Sequence, residues 1–174
     1  MAETIPETAP VKIPETIPQI IPQIMPQIMP MEARHLPQVC DIEHDCFPIP
    51  WSRREFEREF RENKLAVYFV ACEDGEVIGY AGMWHVVNEG HITNIAVRED
   101  KRRRGVGGAL VQALVDEAGR REMAGLTLEV RISNTRAQRL YARHGFKVEG
   151  FRKNYYDDTH EDAIIMWKTF ITQA

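Results

Sequence analysis

The residues best suited to chemistry in this 174-residue chain stand together at Arg102-Arg103-Arg104-Gly105-Val106-Gly107-Gly108. They lie between an alternating apolar run and a helically spaced one, so they join a strand to a helix. Glycines at such a junction let the main chain approach a ligand closely. The first-turn N–H groups of the helix have no intrahelical partner, and the helix dipole favours negative charge. Three adjacent arginines add positive charge, and the segment has the make-up of a phosphate cradle. Two better-known glycine loops do not fit it. The nucleoside-triphosphate loop needs Lys and then Ser or Thr where this chain has Ala109 and Leu110, and the dinucleotide pattern needs a third Gly or Ala where Leu110 stands.

Other reactive side chains lie further along. Leu126, Leu128 and Val130 alternate with Thr127, Glu129 and Arg131, which puts Glu129 on the polar face of a strand. Asn134 and Tyr141 are seven residues apart, two helical turns, and so point the same way. Cys40, His44 and Cys46 have no fourth ligand, and no metal is expected. Cys72 sits in an apolar run and reads as an inert thiol. Arg53, Arg54, Arg58 and Arg61 read as a solvated helix face, while Phe47 to Trp51, with Tyr155 and Tyr156, are candidates to line an acceptor groove.

The elements that must position these residues follow from period and punctuation. Ser52-Arg53-Arg54-Glu55 is a capping box for a helix to about Asn63, and Arg34 to Cys46 forms an earlier helix closed by Pro48 and Pro50. Ala66 to Cys72, Asp74-Gly75 and Glu76 to Val87 read as strand, tight turn and strand, and His91 to Val97 as the next strand of a meander. Leu110, Val111, Leu114, Val115 and Ala118 have helical spacing. The strands at 91–97 and 126–131 are therefore parallel neighbours joined through a helix. A second helix from Ser133 or Asn134 to about His144 ends at Gly145, a left-handed cap. Phe146 to Phe151 and Ala163 to Phe170 are the last strands. The class is α+β: a mixed, mostly antiparallel sheet with helices on both faces.

Composition bounds the rest. Lys and Arg total 22 against 26 Asp and Glu, a net charge of -4, with 44% hydrophobic residues. Any basic patch is thus local, which suits a small anionic ligand and argues against nucleic acid. The longest apolar run, Leu65 to Cys72, is far short of the roughly 20 residues of a bilayer-crossing helix, so no membrane association is expected. Three cysteines without a C-x-x-C spacing suggest a reducing cytoplasm. Seven of the ten prolines stand at 6, 10, 14, 18, 22, 26 and 30, which predicts a disordered arm over 1–30 and a folded domain over 31–174.

Arg102-x-x-Gly105-x-Gly107, preceded by Asn94-Ile95-Ala96-Val97 and followed by Leu128-Glu129-Val130-Arg131, Ser133-Asn134 and Leu140-Tyr141-x-x-x-Gly145-Phe146, resembles the GCN5-related N-acetyltransferase (GNAT) superfamily. The tail Arg152-Lys153-Asn154-Tyr155-Tyr156 with Glu161 to Met166 is similar to its RimI branch, which acetylates the N-terminal alanine of a small-subunit ribosomal protein. The likeness spans roughly residues 31–170.

It implies acetyl-coenzyme A as donor, a V-shaped opening between the fourth and fifth strands, and direct transfer. It further implies the main chain of Ile95, Ala96 and Val97 against the pantetheine and the oxyanion, and Arg102 to Gly108 on the diphosphate. Asn134 would bond the pantetheine arm. An α-amine of pKa about 7.7–8.0 needs a base at neutral pH, and a departing thiolate needs a proton donor. The resemblance gives those parts to Glu129 and Tyr141. Two alternatives stand beside this reading: acetylation of lysine side chains or small amines, and a non-catalytic acyl-coenzyme A sensor.

Overall fold

A computed structural model describes residues 26–170 of the chain. Its strands are β1 (Gln27–Pro30), β2 (Ala66–Glu73), β3 (Glu76–Val86), β4 (Glu89–Val97), β5 (Gly125–Arg131), β6 (Lys147–Tyr156) and β7 (Glu161–Thr169). Its helices are α1 (Leu36–Cys46), α2 (Arg53–Glu62), α3 (Val106–Arg120) and α4 (Thr135–Arg143), with short 3-10 turns at Ala33–His35 and Glu99–Lys101. No helix among the described residues is long and apolar enough to cross a membrane.

The strands form one sheet in the order β1-β2-β3-β4-β5-β7-β6, all neighbours antiparallel except β4 and β5. Period-two alternation divides the side chains of β2 between two cores. Val67, Phe69 and Ala71 face α3, while Tyr68, Val70 and Cys72 face α1 and α2. The expected capping box is present: Ser52 N donates to Glu55 Oε2 at 2.7 Å and Glu55 N to Ser52 Oγ at 3.3 Å. Asp74 and Gly75 both have positive φ, as a tight hairpin turn between right-twisted strands requires. The first helix begins at Leu36, two residues later than expected, because Ala33–His35 winds as a 3-10 turn. β6 runs on to Tyr156, five residues beyond its expected end.

The boundary expected at Met31 is corrected. Residues 27–30 pair with β2, so the folded unit includes the end of the proline-rich segment; the rest of the arm, residues 1–25, lies outside the described residues. The reason lies in the proline spacing. Met31 N donates to Tyr68 O at 2.9 Å, so N–H groups at odd positions here face β2 and those at even positions face outward. Prolines every fourth residue all fall on even positions, and Pro30 loses only an outward donor on an edge strand. With β1 counted, 89–97 becomes the fourth strand.

Glu43 on α1 is 1% exposed in the second core. Its Oε1 accepts from Trp51 N at 3.1 Å and its Oε2 from the Tyr80 hydroxyl. It thereby ties the 47–51 loop to the sheet. Burial pushes its carboxyl above the ordinary range, against the opposing pull of those hydrogen bonds. A group whose folded pKa is raised contributes stability below its unfolded pKa and loses it as pH rises through the folded value. Glu43→Gln should therefore gain on the wild type as pH rises from about 4.5 to about 7.5. Urea unfolding midpoints at both ends measure the gap, and a gap that stays constant would refute the assignment.

Candidate active site

Parallel pairing between β4 and β5 covers only Glu89↔Gly125, Gly90↔Leu126 and His91↔Thr127. Beyond His91 the two strands part, although β4 continues to Val97 and β5 to Arg131. Arg98 N donates to Ile78 O at 3.0 Å, so in this stretch Arg98 and Ala96 spend their main-chain groups on β3. Ile95 and Val97, in alternation, turn theirs toward the opening. Arg102 Nε donates to Val97 O at 3.0 Å, which satisfies one of those groups, and the same guanidinium reaches Cys46 Sγ at 3.4 Å. The Arg102 side chain thus braces the mouth of the opening against the end of α1.

At that mouth the chain turns into α3. Gly105 is its cap, with φ of 84°, and Arg103 is also left-handed, at 67°. The first intrahelical bond runs from Ala109 N to Gly105 O at 3.0 Å, leaving the N–H groups of Val106, Gly107 and Gly108 without a helical acceptor. A methyl at Gly107 would stand 3.4 Å from Leu140 and one at Gly108 3.6 Å from His144, so α4 packs directly beside these amides.

A cleft of about 800 Å³ gathers these parts. Ile95, Ala96, Val97, Arg102, Arg103, Gly105, Val106, Gly107, Gly108, Asn134 and Tyr141 all line it, eleven residues singled out from the sequence. Asn134 Oδ1 accepts from Ala137 N at 3.0 Å and caps α4. Tyr141 packs on Phe146 with ring centroids 5.8 Å apart. Desolvation pushes its phenol well above the ordinary value, with Tyr156 adding to the rise, so it keeps its proton at neutral pH.

Two expected residues are placed elsewhere. Arg104 does not belong to the cleft: its guanidinium bonds Glu73 at 2.6 and 3.3 Å. The left-handed turn at Arg103 aims consecutive arginines apart. Lys101 and then Arg104 hold the Glu73 carboxyl below its usual range. Glu129 does not line the cleft either and is no solvated strand carboxylate, its side chain being only 7% exposed. His91 Nε2 stands 2.8 Å from its Oε2, and Arg152 Nε 3.0 Å from its Oε1. The His91 bridge sits where the strands separate. Tyr156 is within electrostatic reach of both Glu129 and Tyr141.

Sequence reasoning missed His91 and Arg152, which no local pattern links to Glu129. It also missed Arg136, Arg139 and Arg143 on the cleft side of α4, although their spacing around Leu140 is helical. Of the acceptor-groove candidates, Phe47 lines this cleft, Trp51 packs on Phe56 at 5.3 Å, and Tyr155 meets Tyr156 edge-on at 5.2 Å. Arg53, Arg54, Arg58 and Arg61 are exposed, as expected. Cys72 is half-buried, and burial pushes its thiol up.

A split parallel strand pair with an amide cradle at its open end defines a site for an extended, anionic ligand that lies along a strand edge. Residues 36–146 match the model of the Acetyltransferase (GNAT) family, and the chain belongs to that family. It is 39% identical to the [ribosomal protein bS18]-alanine N-acetyltransferase of Escherichia coli K12 over 138 residues, 78% of this chain and 92% of that one. The crystal structure of the ribosomal-protein-S18-alanine N-acetyltransferase from Escherichia coli superposes with a TM-score of 0.79 at 36% identity, covering 86% of this chain and 97% of that one. The fold is shared with Arabidopsis thaliana NAA60 in complex with acetyl-CoA, at a TM-score of 0.72 and 22% identity over 82% and 97% of the two chains. The protein is therefore an N-acetyltransferase with the GNAT fold, and its opening lies between the fourth and fifth strands as the resemblance implies.

Gly105→Ala isolates the backbone requirement, since nothing lies within 4 Å of where its Cβ would stand. The left-handed φ alone should cost about 1–2 kcal/mol of unfolding free energy, readable by urea titration. A loss below about 0.3 kcal/mol would show that the turn relaxes.

Proposed function

We propose that the protein transfers an acetyl group from acetyl-coenzyme A to the N-terminal α-amine of a small-subunit ribosomal protein, with alanine as the acceptor residue. The observation that carries this reading is the convergence in one cleft of the Val106–Gly108 amides, the inward main-chain groups of Ile95 and Val97, and Tyr141. The substrate assignment follows the activity named for the Escherichia coli relative. Because Arg104 is spent on Glu73, the diphosphate is held by the three amides with Arg103, and Arg102 acts by bracing Val97. The pantetheine lies along the free edge of β4 and Asn134 contacts it from the start of α4.

In the reaction the amine nitrogen attacks the thioester carbonyl carbon. The N–H groups of Ile95 and Val97 offer the developing oxyanion its donors. Glu129, set back from the cleft lining, takes the proton the nitrogen must lose through an intervening water, and the C–S bond breaks as the protonated Tyr141 hydroxyl donates to the departing sulfur. His91 bonds the far oxygen of Glu129, which fixes the rotamer of the carboxylate. Arg152 Nε bonds its other oxygen and holds the carboxylate from the second side.

Glu129→Gln and Tyr141→Phe should each lower kcat by about 10²- to 10⁴-fold while leaving the dissociation constant for acetyl-coenzyme A within about twofold. Single-turnover transfer to an Ala-initiated peptide, with calorimetry for the donor, reads the two effects separately. A parallel panel of lysine-containing peptides and small amines decides the acceptor. Faster turnover on those amines would replace the N-terminal assignment, and donor binding without turnover on any amine would mark a sensor.

A further inference from the structure

The chain as a whole carries a net charge of -4, yet its cleft carries the opposite sign. Lys101, Arg102, Arg103, Arg136, Arg139 and Arg143 line it, and no Asp or Glu among the described residues does. α4, Thr135–Arg143, contains no acidic residue. Among the described residues no ion pair holds Arg136, Arg139 or Arg143; the one side-chain bond there is from Arg139 to Thr135 Oγ1, at 3.5 Å. Several arginines elsewhere on this protein are paired, Arg98 with Glu76 and Asp100, Arg120 with Glu117 and Arg131 with Asp158, whereas Arg54, Arg58 and Arg61 on α2 are exposed without an ion pair among the described residues but do not line this cleft. Three like charges along one helical face repel one another, so the arrangement costs stability unless an anion answers it.

Position and charge together say which anion. Leu140 and His144 seat α4 on the first turn of α3, so the arginines one turn to either side of Leu140, and Arg139 next to it, flank the amide cradle. Three main-chain N–H groups and Arg103 match a diphosphate diester, which carries two negative charges. The α4 arginines exceed that demand. A phosphomonoester carries about -1.5 to -2 at neutral pH and presents three oxygens, which suits forked guanidinium donors better than a diester does. Coenzyme A carries both groups, the diphosphate and a monoester on the adenosine ribose.

We propose that Arg136, Arg139 and Arg143 form a phosphomonoester subsite that holds the ribose 3′-phosphate of the donor and makes the enzyme select coenzyme A thioesters over their dephospho counterparts. The subsite rests on the donor reading given above and adds to it a specificity element on α4. Its contribution is to donor binding, while the thioester is positioned by the cradle and β4.

Isothermal titration of the full chain with acetyl-coenzyme A and with acetyl-dephospho-coenzyme A tests this. The wild type should bind the phosphorylated donor at least about tenfold more tightly. Arg136→Gln, Arg139→Gln and Arg143→Gln combined should bring the two affinities within about twofold of each other. They should do so chiefly by weakening acetyl-coenzyme A, with a smaller loss for the dephospho donor, whose diphosphate also feels the lost charge. These side chains are exposed on α4, and matching circular dichroism and melting curves check that the variant is folded. Equal affinity of the wild type for both donors, or discrimination that survives the triple substitution, would overturn the subsite while leaving the donor reading intact. Failure of the wild type to bind either donor would overturn the donor reading and the subsite with it.

Discussion

The site depends on one departure from regular pairing: β4 and β5 stay together for three residue pairs and then separate. Main-chain N–H and C=O groups are obligatory hydrogen-bonding groups, so a strand that loses its neighbour must find other partners or hold its groups for a ligand. Here the debt is partly settled inside the chain, where Arg102 caps the carbonyl of Val97. The remaining groups of Ile95 and Val97 face a cleft. Because the chain leaves β4 at this open end and winds at once into α3, the unpartnered amides of Val106, Gly107 and Gly108 arrive at the mouth of the same opening. His91 and Glu129 join across its closed end.

Such a split is tolerated because the sheet is gripped from both sides. α3 buries Leu110, Val111, Leu114 and Ala118 completely against one face. On the other, Phe56 meets Tyr80 edge-on at 5.8 Å beside the buried Glu43. Burying a carboxylate is costly, and the return is geometric: it fixes the loop after α1, whose last residue, Cys46, touches the Arg102 guanidinium. The packing that keeps the opening in shape is thus continuous with the residues that line it. Concentrating the positive charge there, on a protein of opposite net sign, draws anionic ligands to this cleft.

Much of this was legible in the residues alone. The capping box at Ser52, the hairpin turn at Asp74-Gly75, the left-handed cap at Gly145 and the strand–helix–strand from 91 to 131 were readable because each is set by neighbours or by a short period. The glycine segment showed its chemistry for the same reason, since free first-turn amides belong to any helix start. Three adjacent arginines, by contrast, look alike in a string of letters, and only the backbone turn at Arg103 separates the one that braces Val97 from the one spent on Glu73. The prolines misled for a related reason: their number argues against a strand, whereas their even spacing permits one along a single edge.

Local preference by itself therefore determined most of the helices and strands, though not β1 or the full length of β6, and that a phosphate-type cradle lies between two of them. Tertiary structure decided which side chains meet: that Glu129 is bonded by a histidine 38 positions earlier, that Arg152 closes on its other oxygen, and that α4 brings its arginines beside the cradle. The reason is that turn, cap and period energies act over a few neighbouring residues, while the register of a parallel strand pair and the seating of a helix on a sheet are set by burial summed over the whole domain.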